Sequence, residues 1–148
     1  MLIIPMAVFC LAAVSAAIPI SAYSPSPETA ALRVEPKASA DDIEILTSSP
    51  SDGVLVLGDL SVNGGPNASL HELMVQALNV AASKGADFVA LAKPDGEPMR
   101  FLGKMVPVGH GRSMFVAGPL KGSEVNRIAS IPGDRPGSIR VVLGRYAR

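Results

Sequence analysis

The feature that most constrains this fold is an amphipathic helix pattern between two short apolar runs. Apolar residues recur every 3.6 residues within 69–84 and form one stripe, with polar residues on the opposite side. Residues 69–72 (Ser-Leu-His-Glu) match a capping box, and Gly85 is typical of a helix end. The runs at 54–62 and 86–92 are apolar enough to be buried strands. The pattern predicts a β-α-β unit with parallel strands.

Shorter strands are predicted on both sides of this unit, because β-branched residues alternate there and turn residues interrupt them. They are residues 43–47, 99–108, 113–117 and 138–146. Residues 123–131 fit either a short helix, which we favour, or an irregular strand. The predicted fold class is α+β or α/β, with one β-α-β unit followed by antiparallel strands. These would form a single small mixed sheet packed by one main helix.

The N-terminal stretch, residues 1–22, is apolar and contains no Lys, Arg, Asp or Glu. Small residues near its end suit a signal peptidase, so we expect a signal peptide that is removed between Ala17 and Tyr23. The protein would then be exported to the periplasm or the extracellular space. The stretch lacks a basic start and is long enough to cross a bilayer, so a retained N-terminal membrane anchor is the alternative.

Cys10 is the only cysteine of the chain and lies inside this stretch. The bulky Phe9 precedes it and the chain stays apolar after it, unlike the lipidated cysteine of bacterial lipoproteins. Removal of the signal would leave a mature protein without thiols, which excludes disulfides and cysteine-bound metals. Residues 23–42 are rich in Pro, Ser and Ala and are predicted to be a disordered linker to a single domain at 43–148.

Charge is divided unevenly along the chain. Residues 23–98 contain 11 acidic and 4 basic residues, whereas residues 99–148 contain 2 acidic and 9 basic residues. We expect the basic half to bind an anionic surface of the cell envelope or an acidic protein, with Arg140, Arg145 and Arg148 as candidate contacts. A solvated surface is the simpler interpretation. Nucleic acid is not expected as a partner, because few aromatic residues are present to stack on bases.

The residues that could carry catalysis are scattered. His71 and His110 have no metal-ligand spacing, and neither Asp59 nor Ser113 lies in a nucleophile motif. We therefore predict no catalytic residue, no cofactor and no metal. The alternative function is a small secreted hydrolase or metal-dependent enzyme that uses His71 and His110. Convergence of the four side chains in one cleft would favour that alternative.

The junction between the predicted helix and the following strand resembles one found in envelope proteins. Residues 81–89 (Ala-Ala-Ser-Lys-Gly-Ala-Asp-Phe-Val) are similar to the Ala-x-x-x-Gly-Ala-Asp-x-Val junction of small bacterial envelope lipoproteins and of YbjQ-like domains. Residues 57–60 and the strand that ends at Thr47 are similar too. The resemblance spans about residues 43–91 and carries no site residue over to this chain.

Overall fold

The computed structural model describes residues 19–48, 50, 52–92, 102–130 and 136–147. The strands are β1 (Ile20–Pro25), β2 (Glu44–Leu46), β3 (Val54–Asn63), β4 (Phe88–Ala92), β5 (Leu102–Gly109), β6 (Arg112–Ala117), β7 (Leu120–Lys121), β8 (Ile128–Ser130) and β9 (Ser138–Tyr146). Within these ranges, the α-helix α1 spans Leu70–Ser83 and a 3-10 helix spans Gly122–Arg127. Most of the predicted signal, Cys10, the start of the predicted strand at 99–108 and Arg148 lie outside the described residues.

Helix α1 forms where its pattern and its caps predict it. The side chain of Ser69 accepts a hydrogen bond from the Glu72 amide at 3.2 Å, which satisfies one free donor of the first turn. Gly85 follows the helix with a φ of +73°, a left-handed conformation that suits glycine. The apolar stripe is buried along its whole length: Leu70, Leu73, Met74, Ala77, Leu78 and Ala81.

A mixed six-stranded sheet forms the larger layer, with the strand order β1-β3-β9-β4-β2-β7. Strands β3 and β4 flank β9 and are both antiparallel to it, so they run in the same direction without being neighbours. The predicted β-α-β unit is therefore split by the last strand of the chain. The parallel pair among the described strands is β2 with β4. The predicted alternation along β9 is confirmed, since Ile139, Val141 and Leu143 are buried in the core with α1.

A second sheet of three strands has the order β6-β5-β8. The mixed α+β class is confirmed, but the strands form two sheets where the sequence predicts one. The segment at 123–131, predicted as a short helix or a strand, contains both, a 3-10 helix and then β8. Leu102 at the start of β5 belongs to the common core and is 1% exposed.

The segment at residues 20–42, which we call the docked segment, differs from its predicted disorder. Strand β1 pairs with β3 and includes residues 20–22, which the sequence places in the signal. Further along, the Thr29 hydroxyl donates to the Val56 carbonyl at 2.7 Å, and the Lys37 amide donates to the Ala82 carbonyl at 2.8 Å. Main-chain hydrogen bonds do not depend on apolar composition, so a segment rich in Pro and Ser can still be held against a sheet edge.

Within the described ranges, no helix combines the length and the apolar character that are required to cross a membrane.

Candidate functional site

Two of the candidate arginines, Arg140 and Arg145, are described by the structure, and they do not share a face of the sheet. Arg140 is exposed on β9, and Arg145 lies five positions later on the same strand. Because side chains alternate along a strand, an odd separation directs the two guanidinium groups to opposite faces. The Arg145 Nε atom lies 3.9 Å from the Asp87 Oδ2 atom, which ties this arginine to a buried carboxylate.

The four residues of the enzyme alternative lie on separate elements. His71 is in the first turn of α1, and its Nε2 atom is 3.0 Å from the Oδ1 atom of Asn126 in the 3-10 helix. His110 is in the turn between β5 and β6, Asp59 is in β3 and Ser113 is in β6. Among the described residues, no hydrogen bond joins any two of these four side chains. That part of the chain also contains no group of three His, Cys, Asp or Glu side chains that could hold a metal ion.

Three basic residues lie near one carboxylate of the 3-10 helix. Lys104 reaches across from β5, and its Nζ atom donates to the Glu124 Oε2 atom. The amide of Lys121 donates to the Glu124 Oε1 atom at 3.1 Å, as at the start of a helix. Arg127 follows one helical turn later. We call Lys104, Lys121 and Arg127 around Glu124 the basic cluster.

The electrostatics of Glu124 show that the charges of Lys104 and Arg127 lie close to its carboxylate. The pKa of the Glu124 carboxyl is lowered, mainly by the hydrogen bond from Lys104, then by the bond from the Lys121 amide and by the charges of Lys104 and Arg127. The carboxylate therefore stays ionised and offsets only one of three positive charges. An excess of positive charge remains at this point of the surface.

A small pocket lies between the docked segment and the end of α1, with a volume of about 240 Å³. Three hydroxyl groups line it, those of Tyr23, Thr29 and Ser83, and each donates to a main-chain carbonyl. Burial raises the pKa of the Tyr23 phenol, and the charge of Asp59 raises it further. A phenol held protonated in this way is a poor base or nucleophile near neutral pH. The Tyr23 hydroxyl is therefore not activated for catalysis.

Asp87 is the buried polar residue that sequence reasoning missed. It is 6% exposed, and its carboxylate accepts from the Lys37 Nζ atom at 2.7 Å and from the Tyr146 amide at 3.0 Å. The Tyr146 hydroxyl in turn donates to the Glu44 Oε2 atom at 2.6 Å. This network connects the docked segment to β2, β4 and β9, so its role is structural. A charged residue inside an apolar run was the available signal, since an ionised side chain rarely enters a core unpaired.

Comparisons of the chain with protein-family models, with curated proteins and with solved structures found no match.

Proposed function

We propose that this protein is an exported, non-catalytic domain that binds a polyanionic partner in the cell envelope or outside the cell through the basic cluster and the exposed cations near it in sequence. The charge balance of the second half carries this proposal. Its described part, 102–130 and 136–147, contains a single acidic residue, Glu124. Six basic residues accompany it: Lys104, Arg112, Lys121, Arg127, Arg140 and Arg145.

Four of these six cations are available to a partner. Lys104 is paired with Glu124 and Arg145 with Asp87. Arg112, Lys121, Arg127 and Arg140 are exposed, and none of them forms an ion pair within the described residues. At physiological salt, charges separated by more than about 8 Å act almost independently. The main-chain amide of Lys121 donates to Glu124 and the charge of Arg127 lowers the pKa of the same carboxyl, so both residues lie beside Glu124 and present their charges to one partner.

The hydrolase alternative has less support. It needs His71 and His110 in one cleft, and no described contact joins them. The pocket beside Tyr23 contains neither histidine among the side chains that line it.

The position of β1 indicates where the signal peptide would be cleaved. Residues 20–22 pair with residues 61–63 of β3, so cleavage after Ala22 would remove half of β1. Cleavage after Ala17 would keep the strand intact and also satisfies the small-residue rule of signal peptidases. We therefore expect the exported protein to begin at Ile18. Intact-mass analysis decides between Ile18, Tyr23 and a retained Met1, and retention of Met1 in exported protein contradicts removal of a signal.

Binding to a soluble polyanion tests the function directly. The chain with Lys121→Ser and Arg127→Ser should bind heparin about tenfold or more weakly, because each cation near an anionic surface contributes on the order of 1 kcal/mol. The matched control carries Arg33→Ser and Lys84→Ser, which remove the same charge from exposed positions of the acidic half. Equal loss of binding in both double variants, with unchanged circular dichroism, would show that net charge alone matters and would overturn the proposal.

A further inference from the structure

The hairpin of β5 and β6 extends beyond the third strand of its sheet. Strand β8 pairs only with residues 102–104 of β5, so the rest of β5 pairs with β6 alone. The hairpin as a whole carries four exposed large apolar side chains, three of them in this two-stranded part. They are Met105, Val108, Met114 and Val116, of which Val108 and Met114 are each 53% exposed. Exposed apolar side chains that share one face are typical of an interaction surface, so the face on which each of them lies has to be established.

The cross-strand register sorts the hairpin side chains into two faces. Lys104 pairs with Val116, Val106 with Met114, and Gly109 with Arg112. Because directly opposite residues share a face and alternate residues return to it, one face holds Lys104, Val106, Arg112, Met114 and Val116. We call it the hairpin face. The pairs of Met105 with Phe115 and of Pro107 with Ser113 lie on the other face.

The hairpin face combines an apolar centre with a cation near each end. Arg112 and Val116 are about 13 Å apart along β6, at about 3.3 Å per residue, and Lys104 lies opposite Val116. No acidic residue occurs from Leu102 to Lys121. The basic cluster adjoins one end of this face, because Lys104 belongs to both.

This chemistry matches an anionic bilayer better than another protein. At the headgroup level, apolar side chains reach the acyl boundary while lysine and arginine contact lipid phosphates. Two copies that met through this face would bring their cations together, which is unfavourable. An acidic protein partner would use the cations but would not by itself explain the exposed Met114 and Val116.

We propose that the hairpin face docks onto an anionic lipid bilayer, with Met114 and Val116 entering the interface and Arg112 contacting phosphate groups. The inference rests on the proposed function, since the basic cluster supplies the attraction that brings the hairpin to the membrane. It adds an apolar contact that is confined to one face of the hairpin. The N-terminal stretch can also hold the chain on a membrane if it is retained, so the test must report on the hairpin itself.

Tryptophan reporters give such a test, because the chain has no tryptophan. The full chain would be prepared as Met114→Trp, Met105→Trp and Val75→Trp, which place one indole on the hairpin face, on its opposite face and on α1. On vesicles of phosphatidylglycerol and phosphatidylcholine, the emission of Met114→Trp should shift to the blue and be quenched by brominated lipid. The emission of Met105→Trp and of Val75→Trp should change little. Equal changes at all three sites, or no change at Met114→Trp, would overturn the inference.

Binding measurements separate this inference from the proposed function. Met114→Ser and Arg112→Ser should each weaken vesicle binding about fivefold, whereas Met105→Ser should stay within about twofold and Met114→Leu should bind as the parent does. If Met114→Ser binds vesicles normally while the Lys121 and Arg127 variant loses heparin, the inference fails and the proposed function stands. If the Lys121 and Arg127 variant binds heparin as the parent does, but the emission of Met114→Trp still shifts to the blue on vesicles, the proposed function fails. A blue shift without vesicles that grows with protein concentration would indicate self-association and overturn membrane docking.

Discussion

The docked segment and the hairpin show opposite relations between composition and packing. The docked segment is polar and rich in Pro and Ser, yet its backbone pairs with β3 and its Lys37 binds a buried carboxylate. The hairpin is apolar, yet it leaves Met105, Val108, Met114 and Val116 exposed. Apolar composition therefore does not by itself decide whether a segment is buried. A segment is held where it finds an open sheet edge and paired charges, whereas a hairpin is buried only where another layer covers it.

If the docked segment is held by the Asp87 network, Asp87→Ala should have the largest effect. The variant leaves Lys37 and the Tyr146 amide without their carboxylate, and we expect the free energy of unfolding to fall by about 3 kcal/mol. Both cations near Asp87 are about one-third exposed and can regain water, which places the loss at the lower end for buried pairs. Urea denaturation measures it. Asp59→Ala, an exposed acidic control, should change stability by less than about 0.5 kcal/mol, and equal losses would show that Asp87 does not hold the segment.

The docked segment crosses the end of α1 at Gly85, and a substitution there should cause the next largest loss of stability. A side chain at Gly85 would meet the Glu35 carbonyl and the Val34 side chain, and the φ there is +73°. Gly85→Ala should therefore lower stability by about 2 to 3 kcal/mol, which combines left-handed strain with crowding. Gly53→Ala is the matched control, because its φ is +69° and nothing lies within 4 Å of the added carbon. The free energy of unfolding of Gly53→Ala should fall by only about 1 kcal/mol. If both variants lose the same amount, the docked segment does not pack against position 85.

The stability provided by Tyr146, which belongs to the Asp87 network, should depend on alkaline pH. The hydrogen bond to Glu44, with burial, raises the pKa of Tyr146 to about 12. Because the folded pKa lies above the ordinary value of about 10, the stability that this phenol provides is complete below pH about 10 and is lost as the pH rises through about 12. The thermal midpoint of Tyr146→Phe should therefore depend less on pH over that range than that of Tyr23→Phe. A steeper dependence in Tyr146→Phe would contradict the assignment.

Substitutions on the exposed hairpin face should change stability least. Met114→Ser changes a side chain that is 53% exposed, so we expect the free energy of unfolding to change by less than about 0.5 kcal/mol. Leu102→Ala at the base of the same hairpin should cost about 3 kcal/mol, since Leu102 is 1% exposed and belongs to the common core. Chemical denaturation of both variants measures how packing differs between the base of the hairpin at Leu102 and its exposed part at Met114. A large loss in Met114→Ser would mean that the hairpin face is covered.

Local pattern predicts local structure in this chain, and it fails where distant segments meet. The caps and stripe of α1 and the alternation along β9 are recovered from the sequence, because each depends on neighbours in the chain. The insertion of β9 between β3 and β4 is not, since apolar strands carry no signal of their sheet partners. Disorder at 23–42 was predicted from composition, whereas the segment is held by main-chain hydrogen bonds, by the Lys37–Asp87 ion pair and by Tyr23 and Val34, which pack against the core.

The candidate site follows the same rule. The charge excess of the second half is visible in the sequence, but Arg140 and Arg145 were grouped by closeness along the chain although an odd spacing separates them on a strand. The spacing Lys121, Glu124, Arg127 was the usable signal, because residues three apart align in a 3-10 helix. The approach of Lys104 and the exposure of the hairpin face depend on tertiary pairing, which no local pattern reports.

Hydrogen exchange of the full chain, with and without phosphatidylglycerol vesicles, tests whether the docked segment is held against the sheet while the hairpin is free to contact a bilayer. We expect the amides of β1 that pair with β3, and those of Ser26 and Lys37, to be protected in both conditions, because they donate to carbonyls of the domain. Amides of residues 105–117 should exchange faster in solution and slow down when vesicles are added. An unchanged hairpin on vesicles, together with an unprotected docked segment in solution, would contradict the account.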